Sequence, residues 1–203
     1  MAKSTALIDS EFNNPNLEPI FSAGQIQDRI NELGVEIARD YAGRNPLFIG
    51  ILNGACFFLT DLVRAVDIPL RIQFMEIASY GASPRTSGEV RIIKDLNMPV
   101  EGLDVLVVED IVETGLTLSY LLANLHARGA ASVKLVALLD KHESREREVE
   151  INYLGFAVPD AFFVGYGLDF AERYRNLPFI AILKDPEDPV TRLSKPGLLI
   201  PSI

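Results

Sequence analysis

Three carboxylates and a loop of small polar residues follow one apolar segment of the chain. Glu109 and Asp110 come directly after the Val-rich segment 105–108. The loop after them consists of Glu113, Thr114, Gly115, Leu116 and Thr117. Backbone amides and threonine hydroxyls in such a loop can bind a phosphate, helped by the positive N-terminus of a following helix. The two acids before it can accept hydrogen bonds from neighbouring sugar hydroxyls, so a ribose 5-phosphate unit would satisfy both halves.

A simpler interpretation of the same acids is that Asp110 and Glu113 only cap the following helix. Short capping acids are common at helix N-termini. Two consecutive acids directly after a Val-rich strand, followed by a Thr-Gly-x-Thr loop, form a much rarer combination. We therefore favour the ligand-binding interpretation.

Alternating strands and helices between residues 46 and 140 must position these acids. Segments 46–52, 104–110 and 132–140 are apolar on both faces, which is typical of buried parallel strands. Helices are predicted over 22–43, 54–66 and 117–129, and further strands over 70–80, 90–96, 151–158, 161–167 and 179–183. This order predicts an α/β fold with a doubly wound parallel sheet and flanking helices. Ligands of such sheets bind beyond the carboxyl ends of the strands, where Glu109 and Asp110 lie.

The remaining segments read as connections within one domain, residues 1–203, with a core of about 20–185. Four segments are expected to lack regular structure: an arm over 1–20, a mobile loop over 81–89, a largely solvated charged connection over 141–150, and a Pro-rich tail from 184. The loop over 81–89 would join the two strands of a long hairpin, 70–94.

Composition restricts the classes of function. The net charge of −9 argues against general nucleic-acid affinity, which needs a basic surface. Cys56 is the one cysteine, so no intrachain disulfide is possible. The first residues, MAKSTALIDSEFNNPN, lack the apolar core of a signal peptide, and the apolar run 46–59 is too short to span a membrane. The expectation is a cytoplasmic protein with no nucleic-acid or membrane partner.

Several segments resemble one family. VLVVEDIVETGLTL resembles the signature with which type I phosphoribosyltransferases bind 5-phosphoribosyl-1-pyrophosphate (PRPP), and its Glu-Asp pair resembles the hypoxanthine-guanine, purine-salvage branch. Four further segments agree in order: ILNGACFF, SYGASPRTSGEVRIIKDL, LLDKHESRERE and GFAVPDAFFVGYGLDFAERYRNLPFIAIL. The similarity covers about residues 20–185.

The resemblance implies an activity and a fold. Ribose 5-phosphate would be transferred from PRPP to a nitrogen of a 6-oxopurine, hypoxanthine or guanine, with release of pyrophosphate. Mg²⁺ is the implied cofactor, because it binds phosphate oxygens and takes few protein ligands. The family also implies a mobile hairpin loop, a small hood built from terminal segments, and a homodimer or homotetramer.

The resemblance also assigns roles to residues of this chain. For PRPP, it assigns Glu109 and Asp110 to the ribose and a metal ion, residues 113–117 to the 5-phosphate, and Leu52, Asn53, Gly54 and Arg175 to pyrophosphate. For the purine, it assigns Lys141 to the 6-oxo group, Phe162 to stacking, Phe163 to the pairing edge, Asp169 to purine binding and a pyrophosphate-bound metal ion, and Glu113 to catalysis near N7. Ser79 and Tyr80 would begin the mobile active-site loop.

Four positions depart from the pattern of the family. Asn53 replaces a lysine common in relatives, which removes one positive charge from the pyrophosphate loop. Glu113 replaces the usual aspartate and is longer by one methylene. Phe163 replaces a smaller residue, usually valine, and Ala161 replaces a lysine near the base. These substitutions leave the pattern intact but alter its pocket.

Other assignments remain open for single residues and for the whole chain. Asn53-Gly54 could be a plain turn, Lys141 a surface lysine, and Asp169 with Arg175 an exposed ion pair. The chain could be a non-catalytic PRPP-binding regulator, although it has no helix-turn-helix module. A dinucleotide-binding enzyme is a weaker alternative, because the G-x-G at 165–167 lacks its third glycine.

Overall fold

The computed structural model describes residues 14–80 and 89–184. By internal contacts the chain divides into two compact units, Gly24–Asp160 and a smaller unit from the residues on either side of it. The elements are β1 (Leu17–Phe21), α1 (Ala23–Asp40), β2 (Leu47–Leu52), α2 (Ala55–Ala65), β3 (Arg71–Tyr80), β4 (Glu89–Lys94), β5 (Asp104–Val112), α3 (Leu116–Ala127), β6 (Ser132–Asp140), β7 (Tyr153–Ala157), β8 (Phe163–Val164) and β9 (Ile180–Leu183). The organisation as one domain stays a prediction.

The larger unit contains a six-stranded sheet in the order β4-β3-β2-β5-β6-β7. The five strands from β3 to β7 in this order are parallel, and β4 is an antiparallel edge strand. The chain starts in the middle of the sheet at β2 and moves outward in both directions. The carboxyl ends of β2 and β5 therefore meet at the point where the winding direction changes, which is where such sheets bind ligands.

Helices cover both faces of this sheet because its central strands are apolar on both sides. Ile49 of β2 and Val107 of β5 pack in one core cluster with Leu121 of α3. Gly50 points to the other face, where a Cβ added to it would lie 2.7 Å from Cδ2 of Leu59 in α2. Successive residues of a strand face opposite sides, so α2 and α3 lie on opposite faces. The predicted doubly wound parallel fold is confirmed.

The predicted long hairpin is also present. β3 and β4 pair in antiparallel fashion from Glu76↔Lys94 to Tyr80↔Glu89. The segment 81–88, and with it the predicted mobile loop, lies outside the described residues. Ser79 and Tyr80 form the last two residues of β3, so they lead into that segment as expected.

The smaller unit corrects one prediction, the irregular arm over residues 1–20. Leu17–Phe21 is a strand, β1, which pairs antiparallel with β9 in a three-stranded sheet of order β1-β9-β8. Its register shifts between Pro19 and Phe21. A proline cannot donate to a strand ladder but is tolerated at an edge or a bulge. The local sequence therefore looks irregular, although Leu17 packs on the core of this unit.

None of the helices in residues 14–80 and 89–184 combines the length and the hydrophobicity needed to cross a membrane.

Candidate active site

The acidic end of β5 projects beyond one of its neighbours. β5 pairs with β2 only as far as Val108, but with β6 as far as Val112. The strand is therefore two residues longer than the predicted segment 104–110, because β6 continues to pair with it. Glu109 and Asp110 lie in the part of β5 whose edge toward β2 is unpaired.

A cavity of about 420 Å³ lies at this edge. Its volume falls within the range of small-ligand pockets, roughly 300–1,000 Å³. Its walls combine apolar and polar residues: Ile51 and Leu52 of β2, Ile77 of β3, Glu109 and Ile111 of β5, and Glu113, Thr114, Gly115, Thr117 and Leu118 of the following loop and helix. Most of the predicted phosphate loop and one of the two predicted ribose acids thus share one cavity.

Glu109 has the properties of a cation ligand. Its Oε2 is buried and has no hydrogen-bond partner among the described residues. Burial, and then the negative charge of Asp110, raise the pKa of the Glu109 carboxyl well above its usual range. A bound cation would offset both effects, because it replaces lost hydration and neutralises like charge.

The donor set fits magnesium better than a metal held by protein alone. Within residues 14–80 and 89–184, no cluster of three or more Asp, Glu, His or Cys side chains is arranged to hold a metal ion. Mg²⁺ keeps several waters and is commonly bound by one or two carboxylates together with substrate phosphates. The pair Glu109 and Asp110 meets that requirement.

Asp110 lies against the predicted pyrophosphate loop. A Cβ added to Gly54 would lie 1.6 Å from Oδ2 of Asp110, so any larger residue at Gly54 must displace this carboxylate. Asp110 Oδ1 also accepts a hydrogen bond from the Ile111 amide at 2.8 Å. The peptide between Leu52 and Asn53 is cis, and the Asn53 side chain is exposed. The fold therefore brings the 52–54 turn directly beside the acidic end of β5.

The phosphate loop turns into α3 at Gly115. This residue precedes the first residue of the helix and has φ +79°, a left-handed conformation that favours glycine. A Cβ added there would lie 2.1 Å from the backbone oxygen of Arg147. The Thr114 carbonyl accepts hydrogen bonds from the amides of Glu146 and Arg147, at 3.0 and 2.9 Å. The loop is thus fixed by a second backbone segment.

Gly115→Ala is expected to weaken PRPP binding beyond its effect on stability. Gly102 provides a matched control, because its φ is +71° but nothing lies within 4 Å of its added Cβ. Left-handed backbone alone costs about 1–2 kcal/mol for a residue with a Cβ. Gly102→Ala should show only that loss in the free energy of unfolding. Gly115→Ala should lose more and raise the KM for PRPP, whereas equal KM values in both variants would contradict the role of the loop.

Most of the connection 141–150 is exposed, as predicted, but the side chains of Lys141 and Arg145 are buried. The side chain of Arg145 is only 4% exposed and forms an ion pair with Asp140. Its Cδ lies 3.2 Å from the position of a Cβ added to Gly115. In sequence Arg145 is one of a run of charges, and its ion pair with Asp140, five residues earlier at the end of β6, compensates its burial. The buried Arg145 side chain thus packs against the predicted phosphate loop at Gly115.

Lys141 is buried, which rules out the surface-lysine alternative. Its side chain is 9% exposed, and its Nζ lies 2.8 Å from Oε1 of Glu113 and 2.9 Å from Oδ1 of Asp160. Burial alone would lower the pKa of the ammonium group, but hydrogen bonds to Glu113 and Asp160 outweigh burial and raise that pKa. Lys141 therefore remains a cationic donor attached to the cavity wall through Glu113.

Asp160 was not among the predicted site residues. Its pKa is lowered by hydrogen bonds from the side chains of Lys141 and then Ser144. In sequence it is one acid in a loop after β7, separated from Lys141 by 19 positions, so no local pattern links the two. Its proximity to a predicted base-recognition residue follows only from the fold.

The predicted aromatic residues lie in the smaller unit and differ in exposure. Phe162 is 43% exposed, and its ring meets that of Phe170 edge to face at 5.5 Å between centroids. Phe163 is buried in β8, where it pairs with Ile182 of β9. An exposed ring is available for stacking and a buried one is not. The assignments of both residues to the purine stay predictions.

Asp169 and Arg175 form an ion pair in the same unit. Arg175 Nη2 lies 2.9 Å from Oδ1 of Asp169, and its Nη1 donates to the Gly167 carbonyl at 2.8 Å. Their predicted contacts with pyrophosphate and metal stay predictions. The G-x-G at 165–167 belongs to a turn with an antiparallel bridge from Gly165 to Leu168, not to a strand-to-helix connection, which argues against dinucleotide binding.

Comparisons with known proteins agree with this geometry. Residues 18–171 match the phosphoribosyl transferase domain family. The chain is 51% identical over 165 residues to the hypoxanthine-guanine phosphoribosyltransferase of Bacillus subtilis (strain 168), covering 81% of this chain and 92% of that protein. A solved hypoxanthine phosphoribosyltransferase structure from Staphylococcus aureus matches with a TM-score of 0.83 and 42% identity, covering 88% of this chain and 97% of that chain.

A further relative is much longer than this chain. The bifunctional protein TilS/HprT of Listeria monocytogenes serotype 4b (strain F2365) is 53% identical over 176 residues, which is 87% of this chain but only 27% of that protein. The regulatory alternative gains no support from these relatives. The predicted family is confirmed: this chain belongs to the phosphoribosyltransferase family, within the hypoxanthine-guanine phosphoribosyltransferase branch.

Proposed function

We propose that the chain acts in purine salvage and transfers ribose 5-phosphate from PRPP to a 6-oxopurine, hypoxanthine or guanine. The products are the nucleoside 5′-monophosphate and pyrophosphate. The observation that carries the proposal is the buried lysine Lys141, which holds Glu113 on the wall of the cavity that also contains the phosphate loop. A hydrogen-bond donor for the purine and a binding loop for the phosphate are thereby adjacent.

The phosphate loop binds the 5-phosphate through its amides. Thr114–Thr117 precede and begin α3, so their N–H groups and the helix dipole face an anion at this end. The clamp of Glu146 and Arg147 on the Thr114 carbonyl keeps the loop in place without a ligand. Pre-organised donors bind an anion without the energetic penalty of ordering the loop.

Lys141 recognises the 6-oxo group. An ammonium group has three N–H donors and no acceptor. It can therefore donate to the 6-oxygen of hypoxanthine or guanine but not to the 6-amino group of adenine. A site built around such a bond discriminates strongly, because the wrong base leaves a buried donor unpaired. Glu113, next to it, acts toward N7 as a general base or charge partner.

Glu109 and Asp110 bind the ribose and would hold a magnesium ion. When bound, this ion supplies neutralisation of the negative charge that develops on the pyrophosphate leaving group. The buried, unpartnered Oε2 of Glu109 supports a cation here. The turn of Leu52, Asn53 and Gly54 lies directly beside Asp110. Its backbone contacts the pyrophosphate group of PRPP.

Further assignments belong to the same proposal. The family pattern adds the residues Phe162 and Phe163 for the base, Asp169 for the base and a metal ion, Arg175 for pyrophosphate, and Ser79 with Tyr80 at the start of a loop that closes over the site. We also propose a cytoplasmic location and a homodimer or homotetramer. Light scattering of the purified protein tests the assembly, because a monomer at micromolar concentration would exclude it.

A steady-state assay of pyrophosphate release tests the proposed reaction. PRPP and magnesium are supplied with hypoxanthine, guanine, xanthine or adenine in separate reactions. Hypoxanthine or guanine is expected to support turnover, adenine is not, and excess EDTA is expected to stop the reaction. If the protein bound PRPP but released pyrophosphate with none of the four bases, it would instead be a non-catalytic PRPP-binding regulator.

A further inference from the structure

The ammonium group of Lys141 pairs with two carboxylates, those of Glu113 and Asp160. Glu113 accepts from it at 2.8 Å and Asp160 at 2.9 Å, while the lysine side chain is only 9% exposed. Two of its three N–H donors are therefore engaged, and one remains for an acceptor such as a 6-oxo group. The lysine is already doubly paired before any ligand enters.

The two carboxylates are attached to different parts of the protein. Glu113 belongs to the phosphate loop and lines the cavity. Asp160 is held by the turn that carries the lysine itself: its carboxylate accepts a hydrogen bond from the Ser144 side chain, and the Ser144 amide donates to the Lys141 carbonyl at 3.0 Å. The Val158 amide, two residues before Asp160, donates to the Asp140 carbonyl at 2.9 Å. Asp160 is therefore attached to the turn that carries Lys141 and not to the phosphate loop, although its own side chain is 63% exposed.

This difference matters when a purine binds. Lys141 aligns Glu113 through Oε1, so a hydrogen bond from the purine to this same oxygen requires the bond to Lys141 to lengthen. A buried ammonium that loses its one counter-ion is strongly destabilised, because it lacks both hydration and a partner. With Asp160 in place, Lys141 keeps a counter-ion throughout, so Glu113 can leave without exposing a bare buried charge.

We infer that Asp160 is a positioning residue of the purine site, which stays paired with Lys141 and thereby frees Glu113 to act on the base. The inference rests on the proposed function, since it concerns how the same site handles a 6-oxopurine. Without the negative charge of Asp160, Glu113 becomes the sole counter-ion of Lys141 and is held by it. The purine then enters a site in which the Glu113 carboxylate is already bound to Lys141, while the phosphate loop is unchanged.

Three substitutions separate this role from general support of the loop. Asp160→Asn removes the charge at constant size, and Asp160→Glu keeps the charge on a longer side chain. Glu148→Gln is the matched control, because Glu148 is an exposed acid of the neighbouring connection. Asp160→Asn is expected to lower kcat with hypoxanthine about tenfold, because the hydrogen bond between two charged groups becomes a weaker bond to a neutral amide. Its KM for PRPP should be unchanged, Asp160→Glu should recover most of the kcat, and Glu148→Gln should equal wild type.

A double-mutant cycle with Lys141→Met tests whether Asp160 acts through the lysine. In the Lys141→Met background there is no ammonium group to share, so Asp160→Asn should be neutral or should raise activity by reducing repulsion between two acids. An equal tenfold loss in both backgrounds would show a purely structural role and overturn the inference. So would a wild-type kcat in Asp160→Asn, or a change in the KM for PRPP as large as that in kcat.

Different results would exclude the proposed function and the role of Asp160. If wild-type protein releases no pyrophosphate with any 6-oxopurine, the proposed function is wrong, and the inference is overturned with it. If wild-type protein is active and Asp160→Asn is equally active, only the inference is wrong and the proposed function stands.

Discussion

Glu113→Gln is expected to lower turnover with hypoxanthine about 10²-fold or more, the usual effect of losing a general base. The carboxylate lines the cavity and is aligned by Lys141 at 2.8 Å. Gln keeps the size and one acceptor of the side chain but cannot take a proton or carry charge. Affinity for PRPP should change little, because we propose that the phosphate is bound by the backbone of the loop, which residues 146 and 147 clamp.

The controls for Glu113 exploit its departure from the family pattern. Glu113→Asp restores the residue common in relatives and keeps the charge, so activity is expected to remain well above that of Glu113→Gln. Small misplacements of a catalytic group are costly, and some loss from the shorter side chain is therefore expected. Near-native turnover of Glu113→Gln across the pH range would remove Glu113 from the catalytic residues.

Lys141→Ala is expected to raise the activation free energy with hypoxanthine and guanine by about 1.5–3 kcal/mol, because a hydrogen bond from a charged group is lost, and this lowers kcat/KM roughly 13- to 160-fold. The loss should appear for the purine and not for PRPP, since Lys141 bonds to the loop through the Glu113 side chain, and its amide donates to the Val112 carbonyl just before the loop at 2.9 Å. Alanine keeps that backbone bond.

Lys134→Ala is a suitable control for Lys141→Ala. Lys134 lies near the start of β6, the strand that ends just before Lys141, and its ammonium group donates to the Tyr153 hydroxyl at 3.3 Å. Its removal should lower stability without changing the KM for hypoxanthine. Unchanged purine kinetics in Lys141→Ala, or equal changes in both variants, would exclude the assignment to the 6-oxo group.

The parallel sheet could be predicted because its strands are defined by local sequence. The predicted strands 46–52 and 132–140 match β2 and β6 to within one residue, and the predicted helix 117–129 matches α3 to within two residues at each end. Buried parallel strands read as continuous apolar runs, and the topology rule then places acids after β5 at the ligand edge. The clustering of Glu109 with the phosphate loop follows from that rule alone.

The features that escaped prediction depend on tertiary pairing. Asp160 lies beside Lys141 only because the fold brings together two segments that are 19 positions apart. β1 is a strand only because β9 lies beside it. In each case the local sequence resembles a solvated loop, and the partner that changes its environment lies elsewhere in the chain.

The most direct test of the central claim is a competition experiment in which one limiting amount of PRPP, with magnesium, is offered to equal concentrations of hypoxanthine, guanine and adenine. Mass spectrometry of the products gives the share of PRPP that each base receives. We expect inosine or guanosine 5′-monophosphate, with an equal amount of pyrophosphate and no adenosine 5′-monophosphate. Adenosine 5′-monophosphate as the main product, or PRPP left unconsumed, would contradict the assignment of this cavity to 6-oxopurine phosphoribosyl transfer.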